Sequence, residues 1–258
     1  MNSSNEKDGI LSRLPDAPLS GAQIKTIAMI SMTVDHIAAI ILSKLTPEMT
    51  GFLYPTIPWI IFFLRAVGRI AMPLYCFLLV EGFAHTRHLR RYIASVAVFA
   101  VLSEIPFNLA STGELFFLYK NNTLFTLLIG LIFMSLDQRI LANAESPHQV
   151  YILRMAVFTA ACLLAQFTFC DYGAVGILLI GAFYIPYTAP ASRNQLAGVV
   201  MAIESVQFLC SAALALIPIS RYDGTRGNIR HPYFFYCFYP AHLLALTMIA
   251  RALFPLSV

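Results

Sequence analysis

Charged residues are scarce in this chain. Asp, Glu, Lys and Arg make up 12% of its 258 residues, against about 25% in soluble domains. Specialised motifs are missing too. There is no HExxH run, no Walker phosphate loop and no GxSxG turn. Metalloprotease, ATPase and serine hydrolase readings therefore lose their main support. The five cysteines (Cys76, Cys162, Cys170, Cys210, Cys237) are scattered without metal-site spacing. They read as small buried hydrophobes, and no metal site is expected. No internal repeat, soluble domain or low-complexity linker interrupts the chain. Residues 1–20 are polar, carry Pro15 and Pro18, and lack the pattern of a cleaved secretory signal.

What fills the chain is apolar sequence, 59% hydrophobic with a mean hydropathy of +0.72. The expected fold is all-α: a polytopic membrane helix bundle of about eight spans, with eight to ten as the range. A mobile polar segment at 1–20 would precede a single transmembrane domain over 21–258. The spans read as roughly 22–45, 57–84, 90–107, 121–137, 150–169, 172–189, 194–218 and 232–255. Residues 52–64, broken by Pro55 and Pro58, read as an interfacial or re-entrant piece leading into a helix from about Leu64.

Orientation follows the basic residues. Arg87, Arg90 and Arg91 form the densest cluster between spans. Placing them in the cytoplasm takes Lys7, Arg13, Lys25, Arg139, Arg154, Arg193 and Arg251 there as well, with both termini. One loop conflicts. Arg221, Arg226 and Arg230 would then lie outside, so either the span count is off by one or these arginines are buried ligands. The net charge of +4 bears on orientation and does not call for a nucleic-acid partner.

The ionisable residues inside the spans carry the chemistry. Asp35 and His36 stand deep in the first apolar stretch, where an Asp costs roughly 2.5–3.5 kcal/mol to insert. Such a pair reads either as a functional site facing the protein interior or as a helix-packing hydrogen bond. At 100° per residue, Lys25, Met32, His36 and Ser43 share one stripe. Adjacent residues diverge by the same angle, so a group other than Asp35 is a candidate to orient the imidazole. An imidazole at that depth can act as a general base. Arg65 and Arg69, four apart on one face, suit a phosphate or carboxylate, or snorkel to headgroups. Pro73 is expected to kink its helix. Glu81 and His85 form an i,i+4 pair. Glu104 precedes the helix-breaking Pro106. Asn122, Thr123 and Asp171 read as caps. Glu204 and Gln207 read as interhelical hydrogen-bonders. Tyr222, Asp223 and Arg226 surround a tight turn, and His242 is a second intramembrane histidine.

Several runs taken together resemble the TraX family of membrane proteins, named for acetylation of conjugative pilin. They are IKTIAMISMTVDHIA (24–38), LRAVGRIAMPLYCFLLVEGFAHTR (64–87), FAVLSEIPFNLA (99–110), NTLFTLLIGL (122–131), DYGAVG (171–176), YDGTRG (222–227) and FFYCFYPAHLL (234–244). A more distant similarity is to membrane acyltransferases with an intramembrane histidine. In the loop motif, Asp223 stands where the family pattern usually has Asn.

The resemblance implies a multi-pass acetyltransferase of the bacterial inner membrane, with acetyl-coenzyme A as acyl donor and no metal. The acceptor would be a pilin-like protein, or a small amine or hydroxyl compound. His36 and Asp35 are then the expected catalytic pair, with Arg65, Arg69, Lys25 and Arg226 on the donor. Glu81, Glu104, Tyr222, Asp223 and His242 are expected around the acceptor. Two other classes stay open: a proton-coupled transporter relaying through Asp35, His36 and Glu204, and a non-enzymatic assembly factor for a secreted subunit.

Overall fold

The computed structural model describes residues 18–228 and 233–254. The mobile segment expected at the N-terminus falls largely on residues 1–17, outside the described residues. Leu19 and Ser20 are anchored, however. Leu19 N–H donates to Arg221 O at 2.7 Å, and Asp223 N–H donates back to Leu19 O at 3.0 Å. Arg230 and residues 255–258 also lie outside the described residues.

The chain is a helical bundle without a β-strand among the described residues. Its helices are α1 (Gly21–Ile40), α2 (Pro47–Thr50), α3 (Ile57–Gly68), α4 (Ala71–His85), α5 (Leu89–Ser111), α6 (Thr123–Asn143), α7 (Pro147–Phe167), α8 (Gly173–Tyr184), α9 (Pro190–Glu204), α10 (Leu216–Ser220) and α11 (Phe234–Leu253). Among the described residues, five segments are long and apolar enough to cross a membrane: Gly21–Lys44, Pro47–His85, Leu89–Ser111, Thr123–Asn143 and Pro147–Phe167. Phe77, Phe133, Phe183, Leu131, Met134, Ile177 and Ile180 are fully buried where α4, α6 and α8 meet. Large apolar side chains such as Val101, Leu102, Ile203 and Met248 stay exposed on the outside, as expected of helices solvated by lipid.

The second expected span is one kinked run. α3 and α4 are joined through Arg69 and Ile70, both in the right-handed helical region. Pro73 has no N–H for the carbonyl of Arg69, and its ring crowds that carbonyl. The helix therefore breaks one turn ahead of the proline.

The seventh expected span does not cross. α9 starts beside the end of α4, where Arg193 lies 3.5 Å from Glu81. It ends at Glu204, 3.6 Å from Arg69. The chain then reverses through two short 3-10 turns and two left-handed residues, Leu209 and Cys210. Ser211 Oγ donates to Ala66 O at 2.7 Å. α10 then leads back to Tyr222, beside the start of α1. The tip of this re-entrant hairpin exposes Val206 and Leu209, side chains suited to hydrocarbon and not to an aqueous face.

This reversal corrects the orientation. Arg221 and Arg226 share one end of the bundle with Lys25, Arg87, Arg90 and Arg91, which removes the conflict. α11 then runs parallel to α5: Phe99 and Tyr236 stack at 5.1 Å, and Arg251 Nη2 donates to Gly113 O at 3.3 Å. Arg251 is therefore at the far end, not with the basic cluster. The span count was off by one.

Candidate active site

A cavity of about 740 Å³ runs along the inside of the bundle. At the basic end it is lined by Gly21, Lys25, Arg91 and Arg226. Its walls include Tyr75, Tyr92 and Tyr236, and its far end reaches Thr123, Asp171, Tyr172 and Tyr239. The first helix points its polar stripe into this space. Lys25, Met32, Asp35 and His36 all line it, while Ile30 faces outward. His36 belongs to the last third of α1 and so stands nearer the far end than the basic end.

Two histidines meet at depth. His36 Nδ1 lies 2.7 Å from His242 Nε2, and His242 Nδ1 lies 2.9 Å from Phe238 O. The ring centroids are 4.9 Å apart with 22° between planes, which suits an edge-to-edge shared proton. The tautomers follow from the network. A carbonyl only accepts, so His242 Nδ1 carries a proton and donates it. In neutral His242, Nε2 is then the acceptor, and His36 Nδ1 must donate. His36 Nε2 is left with its lone pair. His36 lines the cavity, and His242 stands behind it, stacked on Phe238. The sequence reading placed His242 against substrate; the fold makes it the partner of His36.

Asp35 has other partners. It accepts from Arg65 Nη1 at 3.1 Å and from Arg69 Nη2 at 3.3 Å. Arg69 also faces Glu204, and its guanidinium lies over Phe208. A buried carboxylate is tolerable when it is held in this way. Gly68 makes the approach possible, since a Cβ there would land on the Asp35 side chain. Asp35, Arg65 and Arg69 thus pin α1 to the α3–α4 break and to α9. The two arginines expected on the donor are occupied by protein carboxylates.

The remaining expected residues divide by location. Glu81 and Tyr222 line the cavity at its basic end. Glu81 is held by Arg193, by His85 at 3.7 Å and by the Tyr187 hydroxyl at 3.3 Å. Burial pushes the Tyr222 phenol up to about 12. Glu104 is not part of the lining. It accepts from the backbone and side chain of Asn122, the buried N-cap of α6. Asp223 is exposed and accepts from Thr225 N and Oγ1, both at 2.7 Å. Those bonds hold its carboxyl below the usual range. An Asn oxygen could accept them equally, so the Asp-for-Asn exchange preserves the turn, which Gly224 completes at φ +78°. Asp171 does not cap α8, whose N-cap is Tyr172; it accepts from Thr123 Oγ1 at 3.1 Å.

Two groups were not anticipated as site residues. Arg91 was read only as a topology signal. The tyrosines Tyr75, Tyr92, Tyr172, Tyr236 and Tyr239 carried no positional signal, because aromatics in spans usually belong to the interface.

Fold and site together define a polytopic helical membrane protein built around an internal polar cavity with a histidine pair. The chain belongs to the TraX family, whose model, described as TraX protein, matches residues 20–250. It is also similar to the probable fimbrial assembly protein FimC, serogroup H1, of Dichelobacter nodosus. That similarity is 29% identity, covering 88% of this chain and 94% of the relative. No solved structure matches.

Proposed function

We propose that this protein is a membrane acetyltransferase that moves an acetyl group from acetyl-coenzyme A to an amine, with His36 as general base. The observation that carries this reading is the His36–His242 arrangement, which presents an unprotonated Nε2 to a cavity with cations at its opposite end. The basic end is the cytoplasmic one by the positive-inside rule, and the membrane is the bacterial inner membrane. Lys25, Arg91 and Arg226 make no ion pair among the described residues, so they are available to the donor's phosphates. His36 follows Lys25 by eleven residues on α1, about 16 Å at the helical rise. An extended phosphopantetheine arm covers that distance and brings the thioester to the histidine.

The transfer balances without a further reactant. The neutral amine attacks the thioester carbonyl carbon, and its N–H proton passes to His36 Nε2. The new N–C bond forms as the C–S bond breaks, and the leaving thiolate takes the proton back from His36. His242 shares the charge while His36 is protonated. The relative's name ties that protein to fimbriae, which supports the N-terminus of a pilin-like subunit as acceptor, approaching from the far face. The test uses purified protein, labelled acetyl-coenzyme A and a pilin-like peptide with a free N-terminus. His36→Ala is expected to abolish transfer and retain donor binding; undiminished transfer removes His36 from the mechanism.

A second reading draws on one specific observation. The α3–α4 break and the α9–α10 hairpin converge on Arg69, and interrupted helices at mid-depth are a feature of transporters. Proton-coupled uptake into liposomes without acetyl transfer would favour it.

A further inference from the structure

We infer that Asp171 is the specificity-determining residue that holds the acceptor's ammonium group at the far end of the cavity. This deepens the acetyltransferase reading and rests on it for the word acceptor.

Among the described residues, three carboxylates line the cavity: Asp35, Glu81 and Asp171. Two are neutralised by protein cations. Asp35 is held by Arg65 and Arg69, and Glu81 by Arg193 and His85. Asp171 makes no ion pair among the described residues. Among the described residues its carboxylate accepts from the Thr123 hydroxyl at Oδ2, which leaves Oδ1 open to a ligand. The cation of the adjoining α5–α6 loop, Lys120, is turned onto the Phe107 ring at 5.5 Å.

Position gives this carboxylate its meaning. Asp171 is exposed, in the turn between α7 and α8, at the opposite end from Lys25, Arg91 and Arg226. The cavity is therefore electrically polar along its length, positive at one mouth and negative at the other. An anionic donor and a cationic acceptor are drawn to opposite ends, with His36 between them. Tyr172 and Tyr239 line the same end; the Tyr172 ring is already taken by Arg69 at 6.0 Å, which leaves Tyr239 as the aromatic partner for a bound cation. A hydroxyl acceptor gains nothing from an unpaired carboxylate, whereas an ammonium gains a charge-assisted hydrogen bond. The bound ammonium sheds one proton to water before its nitrogen can attack, and His36 takes the second.

The test is a binding measurement, kept separate from turnover. Phenethylammonium and its neutral counterpart 2-phenylethanol are titrated into the full chain in lipid nanodiscs. The wild type is expected to bind the ammonium about tenfold more tightly than the alcohol, a difference of the size expected for one charge-assisted bond. Asp171→Asn keeps the acceptor for Thr123 and should erase the preference; Asp171→Glu should restore most of it. Equal binding of both probes by the wild type, no binding at all, or an unchanged preference in Asp171→Asn overturns the inference. Acetyl transfer is followed on the same samples. Asp171-dependent ammonium binding without any transfer leaves this subsite standing and removes the acetyltransferase reading; transfer indifferent to Asp171 does the reverse.

Discussion

His36 Nδ1 and His242 Nε2 are 2.7 Å apart, although 206 residues separate them in the chain. The bond sets which nitrogen of His36 faces the cavity. His242 is in this sense a positioning residue, and its substitution has a distinct signature. His242→Ala should lower kcat within the 10²–10⁴-fold range typical of general-base catalysis and leave the donor KM unchanged. His242→Gln should recover part of the rate, because an amide oxygen can accept from His36 Nδ1. Nitrogen-15 shifts of the imidazoles check the tautomer directly. An Nε2-protonated His36 in the wild type would contradict the network.

Asp35 should behave as a structural residue. Its removal leaves the partly exposed Arg65 without its partner and Arg69 with Glu204 alone; breaking a fully buried pair costs about 3–5 kcal/mol, and the exposure of Arg65 brings the loss here below that. Asp35→Ala and Gly68→Ala are both expected to lower the melting temperature in detergent. His36→Ala should leave it near the wild-type value. Equal melting temperatures for Asp35→Ala and the wild type would sink this assignment.

The cations at the basic mouth should govern donor affinity. Alanine at Lys25, Arg91 or Arg226 is expected to raise the KM for acetyl-coenzyme A about tenfold, the size of a lost hydrogen bond to a charged group. kcat should change little, and raising the ionic strength should narrow the differences. Arg69→Ala should instead reduce stability.

Side-specific labelling of single cysteines checks the re-entrant hairpin. In a background without the native cysteines, Thr86→Cys and Thr225→Cys should react from the same side of sealed vesicles. Thr112→Cys should react from the other side. Opposite labelling of positions 86 and 225 would restore a full crossing at 194–218.

The helical class, the bundle and the inward-facing Asp35 and His36 were legible because each is written in local sequence. Hydropathy marks the spans, and an intramembrane charge stands out against them. The re-entrant hairpin was hidden because a window of apolar residues reads alike whether the chain crosses or turns back. Leu209 and Cys210, in left-handed conformations without glycine, carry no turn signature. The division of labour among the charges was hidden for another reason. Arg65 and Arg69 meet Asp35 across 30 and 34 residues, and spacing along one helix cannot reveal a partner on another. Asp171 looked like a cap because Asp is among the preferred N-cap residues.

The turn at residues 205–210 sets the heading of everything after it. Had the chain passed through at that point, α11 would be threaded in the reverse sense. His242, the ninth residue of that helix, would then stand at another depth and point its ring elsewhere. The two imidazoles find each other because of chain parity, so inserting enough residues to carry the tip across the bilayer would dismantle the pair without altering either histidine.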